Sequence, residues 1–111
     1  PDLKLILAHW GGGLAFFEQN PKLRKTLKNV YYDCAASPLL YDMGIFKHMV
    51  ELVGIDKLFF GSDYPLRIFP RVEKSPEMMR YRNTIREESG LSKTQLANLF
   101  GANFARMMSL D

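Results

Sequence analysis

A chain of 111 residues, 47% hydrophobic and 24% charged, holds enough apolar material for one small core and lacks the bias of a disordered or collagen-like segment. A net charge of +3 carried by scattered basic residues excludes a nucleic-acid-binding surface, and Lys22, Arg24, Lys25 and Lys28 read as the solvated face of a helix. No apolar run approaches the roughly 18 residues of a membrane span, and the single cysteine, Cys34, excludes an internal disulfide and fits a reducing, cytoplasmic setting.

Taken in chain order, Leu3 to His9 is a nearly continuous apolar run and predicts a strand covered on both faces, as in parallel sheets. Gly11 to Gly13 break it. Leu14 to Leu27 carries a helical pattern interrupted by Pro21, which predicts two short helices. Val30 to Ala35 reads as a second strand, ended by Ser37-Pro38, with Cys34 as a small buried residue near its end. Tyr41 to Val53 reads as a helix with Ile45, Met49, Leu52 and Val53 at helical spacing and Gly54 at the C-terminal cap. Lys57 to Gly61 is a third short strand, and a loop runs from Ser62 to Ser75.

The rest reads as helical. Ser75-Pro76-Glu77 has the form of a helix start, with serine as N-cap. Ser92 and Gln95 fit a capping box, flanked by Leu91 and Leu96 as a staple. Gly101 separates this helix from a last one near Asn103 to Leu110. Met78, Met79, Met107 and Met108 read as core filler, and His48 as a helix-surface or packing residue.

Strands that alternate with helices at this spacing are successive βαβ units of roughly 30 residues. Right-handed crossovers place such strands parallel and side by side. Eight units closed into a barrel take about 250 residues. Residues 1–111 therefore read as one partial domain, the C-terminal three βα units of a (β/α)8 barrel followed by terminal helices. The start at Pro1, without Met and close to an apolar run, reads as a cut piece of a longer chain.

In parallel α/β sheets, function collects at the carboxyl ends of the strands. His9-Trp10-Gly11 follows the first strand and Gly61-Ser62-Asp63-Tyr64-Pro65 the third. Side-chain alternation puts Leu5, Leu7 and His9 on one face and Phe59, Gly61 and Asp63 on one face. If both are the inward face, His9 and Asp63 meet at the mouth. Singly, His9 reads as a satisfied core histidine and Asp63 as a turn residue. As a pair at equivalent strand ends they read as catalytic, since Asp ligates metals or takes protons and His ligates or shuttles them. Trp10, Tyr64 and Arg67 are candidate substrate-binding residues, Arg67 through bidentate contact with a carboxylate. The glycines at 11–13 let the backbone turn close to a ligand.

Leu-Ala-His9-Trp10-Gly-Gly-Gly, then Val30-Tyr31-Tyr32-Asp33, then Phe60-Gly61-Ser62-Asp63-Tyr64-Pro65, then Leu99-Phe100-Gly101-Ala102-Asn103-Phe104-Ala105-Arg106 resembles the carboxyl-terminal part of the amidohydrolase-related family. The branch it is most similar to is that of aminocarboxymuconate-semialdehyde decarboxylase and its hydrolase relatives, although that branch often has glycine where this chain has Trp10. The resemblance implies a (β/α)8 barrel with one divalent metal, usually zinc. Asp63 would ligate that metal or take the proton of its bound water, and His9 would act on the substrate as acid, base or polarising group. The family's remaining histidine ligands, a His-x-His pair on the first strand and another on the fifth, have no counterpart here.

The first reading is thus a metal-dependent hydrolase, with metal-activated water attacking a carbonyl or ring carbon of a small carboxylate, amide or lactone. A decarboxylase of the same family is the first alternative. A non-catalytic, self-associating α/β module is the second. The expected partners are a small-molecule substrate, the remainder of the barrel and a second copy of the chain, with neither nucleic acid nor membrane. The chain alone is expected to be inactive.

Overall fold

The computed structural model describes residues 2–67 and 74–110. The middle of the expected Ser62–Ser75 loop lies outside the described residues. Three strands, β1 (Leu5–Leu7), β2 (Val30–Asp33) and β3 (Leu58–Phe59), form one parallel sheet in the order β1-β2-β3, as the βαβ spacing predicts.

The register corrects the face assignment made from alternation. Leu7 pairs with Tyr32 and Tyr32 with Leu58, whereas Asp33 pairs with Phe59. Paired residues in a parallel sheet share a face, so Leu7 and Phe59 lie on opposite faces. The face of Val30, Tyr32 and Leu58 holds the core. It packs against Phe46 and Met49 of α3 (Ile45–Val53) and Tyr81 and Ile85 of α4 (Met78–Glu88). The other face carries Ile6, Tyr31 and Phe59. There Tyr31 stacks on Phe59 with ring centres 5.1 Å apart, and Phe104 of α6 (Asn103–Met107) meets Phe59 edge-on at 6.0 Å. Lys4 Nζ also donates to the Met107 carbonyl.

The crossovers follow local chemistry. After β1 a 3₁₀-type segment, His9–Gln19, leads to α1 (Pro21–Thr26), whose N-cap Asn20 accepts the Lys22 and Leu23 N–H groups. The expected Tyr41–Val53 helix is divided. A short α2 (Ser37–Leu40) ends as Tyr41 turns extended, and Asp42 Oδ1 then accepts the Gly44 N–H at 2.9 Å and starts α3 afresh. Gly54, at φ 88°, ends α3 with its N–H on the Val50 carbonyl, as a C-terminal glycine should. α4 begins at Met78, later than Ser75-Pro76-Glu77 suggests; its N-cap is Glu77, and the Ser75 hydroxyl donates instead to Glu77 Oε1 at 3.3 Å. The Ser92–Gln95 capping box opens α5 (Lys93–Ala97) with both reciprocal bonds present. A π-helical turn, Asn98–Ala102, joins it to α6. Of the four methionines read as filler only Met107 is buried; Met78, Met79 and Met108 are exposed.

The Asn103 side chain, 3% exposed, fixes the start of β3 by donating to the Ile55 and Leu58 carbonyls at 2.6 and 2.8 Å. Arg106 in turn bonds Asn103 Oδ1, Asn98 Oδ1 and Asp56. On the core side, Glu18, 1% exposed, accepts from the Tyr32 hydroxyl at 2.7 Å and pairs with Lys57 Nζ at 2.5 Å. Its second oxygen has no partner among the described residues.

Burial, with Glu18 beside it, raises the Tyr32 phenol above its ordinary range, and burial raises Tyr81 likewise. Burial pushes the Cys34 thiol from 9.0 up to about 11. Each group keeps its proton in the folded chain after the unfolded chain has released it. The Cys34 contribution is therefore complete below pH 9.0 and is lost as pH rises through about 11, while those of Tyr32 and Tyr81 begin to be lost only above pH 10.0. A urea midpoint falling across that window is the expected result; a flat one would show that these groups ionise equally in both states.

Candidate active site at the strand ends

All three strands end in left-handed backbone on residues other than glycine. His9 (φ 56°) and Trp10 (φ 58°) follow β1, Ala36 (φ 53°) follows β2 and Asp63 (φ 58°) follows β3. Such conformations cost about 1 kcal/mol or more each and persist where surrounding contacts over-determine them.

At His9 those contacts are visible. Its N–H donates to Asp33 Oδ1 at 3.1 Å, and its ring Nδ1 lies 2.9 Å from the Ala35 carbonyl. A carbonyl only accepts, so Nδ1 carries the proton and a neutral ring presents its lone pair at Nε2. His9 therefore reaches the end of β2 through this bend and not through the parity of a straight strand.

Asp33 is the functional candidate that the sequence reading missed. Its Oδ1 accepts both the His9 and the Ala35 N–H groups, the latter at 2.9 Å. On its other flank stands Gly61, where a Cβ would lie 3.0 Å from Asp33 Cγ. The available signal was position: Asp33 is an acid closing the middle strand between two strand ends already singled out.

Cys34, next along, binds β2 to β3. Its N–H donates to the Phe59 carbonyl at 3.2 Å, and its thiol lies 3.6 Å from the Gly61 carbonyl. The Tyr81 hydroxyl holds the Cys34 carbonyl. A thiol both buried and raised in pKa is no nucleophile at neutral pH.

Asp63 is exposed, its backbone carbonyl accepting from Leu66 N–H at 2.8 Å, and a cis Tyr64–Pro65 bond follows. Among the described residues no hydrogen bond or ion pair joins the His9 and Asp63 side chains; they stand on either side of Asp33. Tyr64 is 68% exposed, and exposed Arg67 donates to the Lys74 carbonyl at 3.4 Å. Trp10 lies elsewhere, in the core at 2% exposure, with Nε1 on Ser37 Oγ at 2.6 Å and its ring edge-on to Phe46 at 5.0 Å. Gly11 beside it, at φ 70°, runs so close to Tyr32 that a Cβ would meet two ring carbons at 2.9 Å. His48 is exposed on α3.

The cavity at the ends of β2 and β3, bounded by Ala36, Pro38, Ser62, Tyr64, Met78 and Tyr81, measures about 20 Å³. That is room for one water and not for a substrate. A catalytic metal takes about three protein ligands. The described residues contain no group of three His, Cys, Asp or Glu side chains placed to hold one. Asp63 and His9 alone do not make a metal centre. No helix among the described residues is long and apolar enough to cross a membrane.

Three comparisons bear on this arrangement. The family model described as "Amidohydrolase" matches residues 1–109. A 2-amino-3-carboxymuconate-6-semialdehyde decarboxylase from Dictyostelium discoideum is 29% identical over 128 aligned positions, covering 100% of this chain and 32% of that protein. Among solved structures, a dihydroxybenzoic acid decarboxylase from a Polaromonas species, with bound manganese and the inhibitor 2-nitroresorcinol, superposes with a TM-score of 0.67 at 16% identity. It covers 96% of this chain and 34% of its own. An amidohydrolase from Burkholderia multivorans with bound zinc gives 0.61 at 22% identity, over 97% and 44% of the two chains. The chain thus spans about a third of the length of the curated relative that it matches. Its three parallel strands and terminal helices are the C-terminal three βα units of a (β/α)8 barrel. With the family model matched from residue 1 to residue 109, the chain belongs to the amidohydrolase family.

Proposed function

We propose that the protein carrying this chain is a cytoplasmic decarboxylase of small conjugated carboxylates, with His9 and Asp63 as its acid–base pair. The observation that carries this reading is the match, along the whole chain, to a protein named as a decarboxylase. Decarboxylation breaks the bond between a carbon and its carboxylate, releases CO₂ and leaves a proton on that carbon. His9 suits the delivery of that proton once Nε2 has taken one up from solvent: Ala35 holds Nδ1–H, so Nε2 is the nitrogen that exchanges a proton with a reactant. Asp63 stands exposed after β3, with β2 between it and His9, where a carboxylate can take a proton or face a cation. It is the residue of this chain assigned to a divalent metal, with zinc the first choice, and the other ligands would come from outside the described residues. Arg67 and Tyr64, both exposed, are assigned to the substrate's carboxylate and ring. Trp10 supports the site from the core.

Hydrolysis is the second reading, favoured by the Burkholderia multivorans neighbour described as an amidohydrolase. The two separate cleanly in ¹⁸O-water. The whole protein, given 2,6-dihydroxybenzoate and in parallel a simple aryl lactone, should release CO₂ from the first with no ¹⁸O in its organic product and leave the lactone unopened. Label in an opened lactone without CO₂ release would favour hydrolysis, and neither product would overturn both readings.

A further inference from the structure

We propose that Asp33 is a positioning residue: its carboxylate holds His9 in its left-handed conformation and so aims the imidazole, and Gly61 is glycine to leave room for it. The catalytic half of this inference rests on the proposed role of His9.

Two observations carry it, one from each side of Asp33. On the β1 side, Oδ1 gathers the His9 and Ala35 N–H groups at 3.1 and 2.9 Å. Ala35 also supplies the carbonyl that takes His9 Nδ1 at 2.9 Å. One carboxylate oxygen thus holds the backbone N–H of the histidine and the N–H of the residue whose carbonyl orients its ring, as an outer carboxylate does for a ligand or base. Without it, two buried or half-buried N–H groups lose their acceptor and His9 has less to hold it at φ 56°.

On the β3 side, Gly61 has no left-handed φ to require glycine. Yet a Cβ there would lie 3.0, 3.2 and 3.2 Å from Asp33 Cγ, Cβ and Oδ1, and these three atoms are its nearest neighbours. All three belong to Asp33. The tightest contacts at Gly61 therefore all come from Asp33, and an alanine there would act by pushing the carboxylate off its two donors.

The test is a double-mutant cycle in the whole protein. Asp33→Ala should lower kcat on the order of 100-fold with KM little changed, the size expected when a reacting group is displaced by about 1 Å. Asp33→Asn keeps an acceptor oxygen and should recover activity to within about tenfold of wild type. Gly61→Ala should lower kcat like Asp33→Ala. The double variant should be no worse than Asp33→Ala alone, since the clashing atoms beyond Cβ are gone. Multiplying losses in the double variant, or Asp33→Asn as inactive as Asp33→Ala, would overturn the proposal. Amide exchange gives a readout free of activity: the His9 and Ala35 N–H groups should be protected in wild type and Asp33→Asn and exposed in Asp33→Ala or Gly61→Ala. Should wild type prove inactive, the proposed function fails on its own, and loss of that protection still supports the positioning role while its persistence overturns it. Should Asp33→Ala not fold, Asp33→Asn and Gly61→Ala decide: active and impaired respectively supports the proposal, the reverse overturns it.

Discussion

Asp63→Asn in the whole protein is expected to cut turnover by about 100- to 10,000-fold, the range for loss of a positioned acid–base group, while the melting temperature moves by only a degree or two. The choice of asparagine matters. Asp63 sits at φ 58°, a conformation that Asn tolerates as Asp does, so the substitution removes charge without adding backbone strain. Its side chain is exposed, and exposed sites away from caps and networks change stability by about 0.5 kcal/mol at most. His9→Asn obeys the same logic at φ 56°, with a larger stability cost because His9 Nδ1 contacts the Ala35 carbonyl. Parallel kcat and thermal-melt measurements on both variants check this. Activity that survives Asp63→Asn, or unfolding that accounts for its loss, would remove Asp63 from the reaction.

The sequence discloses what is local. Strand order, the Gly54 cap, the Ser92–Gln95 box and the placing of His9 and Asp63 after strands follow from short stretches of chain, and the structure shows each. What alternation misplaces is set by distant partners. His9 leaves the face of Leu7 because Asp33, 24 residues on, accepts its N–H. Trp10, expected at a pocket wall, is drawn into the core by Ser37 and Phe46. Asp33 reads as an ordinary strand residue until the fold puts Gly61 against it. Motif resemblance finds the residues, and tertiary contact assigns their neighbours.

Lys57→Ala is the substitution expected to cost most stability, about 3–5 kcal/mol, because it strands a buried carboxylate. Glu18 is 1% exposed and one of its oxygens already lacks a partner. Removing the ammonium at 2.5 Å leaves the Tyr32 hydroxyl as its one remaining hydrogen-bond partner among the described residues. The Lys57 contact with the Leu27 carbonyl, at 3.0 Å, goes as well. Neutralising both sides, Glu18→Gln with Lys57→Met, should recover most of the loss, since Gln still accepts from Tyr32 and Met fills the Lys stem's volume. Urea denaturation of the three proteins measures this. A loss below about 1 kcal/mol for Lys57→Ala would show that the pair behaves like a solvated surface bridge.

The middle strand has a mechanical consequence. Through Asp33 it grips the end of β1, and through Cys34 it grips the end of β3, so the spacing of the two strand ends that lead to His9 and Asp63 is set by two adjacent residues of the middle strand. Insertions or deletions after Pro65 or near Leu40 would leave both grips untouched, so under the proposed function they would alter what the site admits before they alter the spacing of its strand ends.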